Sequence, residues 1–155
     1  MQDQGTRASR NVLIQAELVD LLRDGLRGQL AVAAQRIASA DERPDAREHP
    51  ERFQDPLRCM DALRALMEDI GWSAPPDDPR VDPRIDLRIH GWALTEALRE
   101  QVSVHVDMLR DIDHADERRA TVARDLNALS ILALTVLLRT HADTLRGASP
   151  RAGPG

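Results

Sequence analysis

An all-α fold, an antiparallel four-helix bundle of three long helices and one short one, is what this amino-acid sequence predicts. Three observations carry the prediction. Hydrophobic residues make up 42% of the 155 residues but aromatic residues only 2%, so the core must be aliphatic. Aliphatic side chains interdigitate well between helices, whereas all-β cores lean on aromatic and β-branched residues. Apolar residues recur at steps of three and four over several separate stretches, the period of a helix with one buried face. Asp-Pro pairs stand where helices should begin, because Asp accepts hydrogen bonds from free amides and Pro presets the backbone angle of the first helical position.

The first helix is expected over residues 9–40, with Ser9 as its N-cap. Val12, Ala16, Val19, Leu26, Leu30, Ala33, Ala34 and Ile37 form its core face. A charged connector follows, DERPDAREHPERFQD, broken by Pro44 and Pro50, with Phe53 placed to tack it onto the bundle. The second, shorter helix is expected over 56–70, started by Asp55-Pro56 and carrying Cys59, Leu63, Leu66 and Ile70 on one face. Gly71 suits a left-handed terminating position, with Trp72 folding back on the last turn.

Three tetrads, DPRVDPRIDLRI, run from Asp78 to Ile89. They read as helix-start chemistry: Asp78-Pro79 makes an abortive turn, and Asp82-Pro83 starts the third helix, expected over 83–112. A polar turn, DIDHADE, leads to a fourth helix over 116–146. Residues 9–147 thus form one domain, with disordered ends at 1–8 and 148–155. Because the second helix is short, the two proline-rich connectors are expected to pack along the bundle.

Charge narrows the function. Net charge is −5, and the Arg side chains are interleaved with Asp and Glu, which argues against nucleic acid as a partner. All 21 basic residues are Arg, the codon bias of a GC-rich, bacterial genome. The single cysteine, Cys59, permits no internal disulfide and points to a reducing cytoplasm. The start, MQDQGTRASR, lacks the apolar stretch of a signal peptide. The longest uncharged run, Leu126 to Leu138, is too short to span a bilayer, so no membrane association is expected.

Two helices have more apolar surface than one core face requires. On the first, Ile14, Leu18, Leu21 and Val32 form a second stripe, with Gly25 and Gly28 between them. The fourth has a core face of Val122, Leu126, Leu129, Ala133, Val136 and Leu137, while Ile131, Leu134 and Leu138 point the other way. A surface helix of a monomeric bundle needs one such stripe. A homodimer in which these faces meet their copies is therefore expected, the two glycines allowing close approach, with a further protein partner also compatible.

Chemistry is sparse. His105 falls among Leu94, Leu98, Leu109 and Ile112 on the third helix, with Gln101 one turn before it and His90 at the edge of the same face. Buried polar groups need a partner or a ligand. Metal-ligand spacings such as His-x-x-x-His or Cys-x-x-Cys are missing, so no metal or cofactor is expected. Asp107, Asp111 and His114 share a charged, outward face. Cys59 on an apolar face is an inert small hydrophobe, Ser130 and Thr135 should bond to backbone carbonyls, and Arg23 should pair with a nearby acid or bind an anion. Two functions follow: a non-enzymatic interaction or oligomerisation module with a regulatory, scaffold or pathway-accessory role, or a small-molecule-binding bundle, with or without enzymatic activity, whose apolar pocket lies around His105, Gln101 and His90 and in which His105 could act as general acid or base.

Overall fold

The computed structural model describes residues 11–42, 51–73 and 83–148. They form four helices, α1 (Ala16–Asp41), α2 (Glu51–Ser73), α3 (Leu87–Asp111) and α4 (Arg118–Ala148), and two short strands, β1 (Asn11–Leu13) and β2 (Arg84–Asp86). The all-α, four-helix arrangement is the one the aliphatic composition and helical period predicted. Most of both proline-rich connectors and the two chain ends lie outside the described residues, as do the side chains of Phe53 and Trp72.

The helix starts differ from expectation. Residues 11–13 and 84–86 are extended, not helical, and pair antiparallel with Val12 opposite Ile85. The ladder continues where the Ile14 amide donates to the Pro83 carbonyl at 2.9 Å. A three-residue segment is too short to show a period of two, so Val12 and Ile14 merge into the helical pattern beside them. Both β-branched residues of the central pair are almost fully buried, which is what decides for a strand. α1 consequently begins at Ala16 behind Gln15, which provides no side-chain cap. α3 begins at Leu87, and its N-cap is Asp86, whose carboxylate accepts from the Arg88 amide at 2.9 Å. The third Asp of the tetrads, not Asp82-Pro83, is therefore the start signal.

α2 is not the short helix expected. It starts at Glu51, takes Pro56 into its interior and runs through Gly71 to Ser73, 23 residues or about 35 Å. Pro56 gives up one hydrogen bond in the second turn, and propagation on both sides outweighs that single loss. Gly71 does not adopt a left-handed conformation.

α1 packs on both α2 and α3, while α4 packs along α3 and touches α1 only lightly. The core gathers Leu22 and Leu26 of α1, Leu63, Leu66 and Ile70 of α2, Leu94 and Leu98 of α3, and Leu129 of α4, all essentially without solvent exposure. α4 is thus the outermost helix, held mainly by one neighbour. Its start is capped by Asp116, which accepts from the Arg118 amide at 2.9 Å. The Arg118 guanidinium grips the same carboxylate at 2.7 Å and pulls its pKa down to about 2.

Candidate functional site

The polar row predicted on α3 is buried: His90, Gln101 and His105 all lie in the core layer. It is not one cluster of mutual contacts. His90 belongs to the α2–α3 contact, where its Nε2–H donates to the Asp69 carboxylate near the far end of α2. His105 turns back on its own helix, its Nδ1–H donating to the Gln101 carbonyl at 2.7 Å. That bond fixes the tautomer and leaves Nε2 as an acceptor. Gln101 lies against α1, with its Cγ beside Gly25. Replacing His105 by Leu is expected to keep the fold and leave stability unchanged or raised by about 1 kcal/mol, because an imidazole half-satisfied by its own helix gives way to an apolar side chain. Urea unfolding checks this; a clear loss of stability would assign His105 a partner in the core.

The residues expected at a dimer interface divide. Ile14, Leu18 and Gly25 are buried within the chain, and Leu21 packs against the same core, so this part of the α1 stripe does not face outward. α1 is packed by both α2 and α3, and α3 meets the stripe directly where Ala97 and Gln101 stand against Gly25. Gly25 does permit a close approach, but to Ala97 of α3. Gly28 is half-buried beside Glu100, and Val32 is exposed. On α4 the outcome is different. Ile131 and Leu134 are each 57% exposed and Leu138 66%, so the outer stripe of this helix faces solvent. Leu137, read as a core residue, is also 57% exposed, while Leu132 takes its place inside.

A groove flanks α4 on each side. The first, about 480 Å³, lies between α4 and the β1–β2 pair. Val12, Leu18 and Leu132 form its apolar floor, and Arg84, Arg124 and Arg139 stand around it. Arg139 donates to the Asn11 carbonyl and ties α4 to β1. The second, about 620 Å³, runs between α3 and α4 and is lined by Leu98, Val102, Val136 and Leu137. Sequence reading missed the first groove. Arg124 and Arg139 could have been noticed bracketing the apolar run of α4, but Arg84 and β1 join them only through strand pairing.

Smaller expectations fall into place around these features. Ser130 and Thr135 donate to the carbonyls of Leu126 and Ile131 one turn back, at 2.7 and 2.8 Å. Arg23 pairs with Asp20 at 3.6 Å on the surface of α1. Asp107, Asp111 and His114 are exposed, and among the described residues no three His, Cys, Asp or Glu side chains come together as metal ligands.

Within α4, Arg118–His141 is long and apolar enough, by length and composition alone, to cross a bilayer. The uncharged run had excluded this, since isolated Arg and Asp residues interrupt it without abolishing the apolar average. One face of that stretch, with Val122, Leu129, Leu132 and Val136, is packed inside the protein. Comparison with protein-family models, with curated proteins and with solved structures finds no match for this chain.

Proposed function

We propose that the chain is a non-catalytic interaction module, working in the cytoplasm, whose outer α4 face associates with a protein surface, in the simplest case a second copy. The observation that carries this reading is the exposed stripe of Ile131, Leu134 and Leu138 on a helix otherwise well packed against α3. Leaving such large aliphatic side chains wet on one continuous face is unfavourable, and covering each one removes apolar area at about 25 cal/mol per Å². The buried histidines fit a structural role, since His90 is engaged by Asp69 and His105 by its own helix. Cys59, half-buried on α2 and unpaired, suits a reducing compartment.

The test is the mass in solution. At micromolar concentration the protein should sediment as a dimer, and the Leu134→Glu/Leu138→Glu variant should sediment as a monomer with unchanged helical content. A wild-type protein that stays monomeric up to about 100 μM, a range in which association of about 5–6 kcal/mol or more registers, would refute self-association through this face.

A further inference from the structure

We propose that the groove between α4 and the β1–β2 pair docks an acidic amphipathic helix of another protein. This goes beyond self-association: the groove borders the outer stripe at Ile131 but is not lined by Leu134 or Leu138.

Charge supplies the first argument. Acidic residues outnumber basic ones in the whole chain, 26 to 21, yet among the described residues three arginines and no Asp or Glu line this groove. Arg84 and Arg124 have no ion-pair partner among the described residues, so their guanidinium groups are open to carboxylates. Arg139 is held in place by its bond to the Asn11 carbonyl and keeps further donors available. Guanidinium groups bind carboxylates in a two-pronged geometry, and charge of one sign around a cleft selects a partner of the other sign.

Shape supplies the second. The floor of Val12, Leu18 and Leu132 is apolar, so the occupant must present an apolar stripe as well as charge. Arg124 and Arg139 lie about 22 Å apart along α4 at 1.5 Å per residue, the length of about four helical turns. A compact anion reaches one of these arginines; a helix with apolar residues at steps of three and four and carboxylates on its flanks reaches both.

A second copy of this chain does not fit through the same groove. The midpoint between Arg124 and Arg139 falls at Ile131–Leu132, so a two-fold, antiparallel pairing of α4 with itself there sets the Arg124 of each copy against the Arg139 of the other. Like charges so placed are repulsive. Residues 1–10, which precede β1 in sequence, carry Arg7 and Arg10 against a single Asp3 and do not complement the groove either.

The experiment is fluorescence anisotropy on the full chain. The probe is a fluorescein-labelled peptide of about 16 residues, four turns, with Leu at helical spacing on one face and Glu on both flanks. Saturable binding is expected, weakened about tenfold or more between roughly 0.05 and 0.5 M NaCl. The Arg84→Glu/Arg124→Glu variant should lose about tenfold or more in affinity and should prefer a Lys-for-Glu version of the peptide. Arg84→Gln/Arg124→Gln gives an intermediate loss without adding negative charge. Leu134→Glu/Leu138→Glu, which abolishes self-association, should bind the peptide unchanged, so the two readings fail separately. The proposal is overturned if wild-type protein fails to bind the Glu peptide or binds the Lys peptide equally well. Displacement of the peptide by millimolar decanoate, or cosedimentation of the protein with phosphatidylglycerol vesicles in preference to peptide binding, overturns it in favour of a small amphiphile or a membrane surface.

Discussion

Replacing Gly25 by Ala should destabilise the protein by about 3 kcal/mol or prevent it from folding, although Ala is the better helix former. A Cβ at this position would stand 2.6 Å from the carbonyl oxygen of Ala97, 3.0 Å from Cγ of Gln101 and 3.3 Å from the carbonyl carbon of Ala97. The first contact is with backbone, which cannot rotate away as a side chain can. α1 and α3 would have to separate, and Leu22, Leu26, Leu94 and Leu98 would lose their packing along the seam. The gain of about 1 kcal/mol in helix propensity does not offset this.

Gly28 is the internal control. An added Cβ there meets Glu100 Oε1 at 3.4 Å, the mobile end of a side chain that also accepts from Gln29 Nε2 at 3.1 Å. Gly28→Ala should therefore be neutral or stabilising by up to about 1 kcal/mol. Urea denaturation of both variants makes the comparison. A Gly25→Ala protein melting within about 2 °C of the wild type would mean that the helices do not meet backbone to backbone at this point.

Arg119→Ala should cost about 2 kcal/mol, more than a surface arginine normally does. Arg119 Nη1 donates to the carbonyls of Leu109 at 3.0 Å and Ile112 at 3.1 Å, groups that α3 leaves without helical partners as it ends. The positive charge also sits at the negative end of the α3 dipole. One side chain at the start of α4 therefore closes the α3–α4 turn and fixes the hairpin that carries the outer face. Arg119→Lys should retain only part of the effect, because an ammonium on a flexible stem lacks the planar geometry that spans two carbonyls. Hydrogen exchange read across residues 109–119 should quicken in the alanine variant alone among surface arginine replacements. Unchanged exchange with a stability loss below about 0.5 kcal/mol would remove Arg119 from this role.

How much was legible depended on whether a feature was local. The inward position of His90, Gln101 and His105 could be read from period alone, because one helix with one dominant apolar face has only one way to lie. The apolar excess of α4 was legible for the same reason: Ile131, Leu134 and Leu138 lie opposite Val122, Leu129 and Val136 whatever surrounds them. The matching stripe of α1 has the same local character, yet Ile14, Leu18 and Gly25 are covered within the chain. No periodicity distinguishes a stripe that awaits a second subunit from one that awaits another part of its own chain.

The helical class, the aliphatic core and the wet outer ridge of α4 are written into single segments, since they follow from side-chain type and spacing there. That residues 11–13 and 84–86 extend and pair, that Gly25 meets Ala97, and that Arg84, Arg124 and Arg139 surround one groove emerges from the folded chain alone. Each of these joins segments far apart in the chain. Their free energy comes from a contact that exists only after folding, so nothing in either segment alone records it.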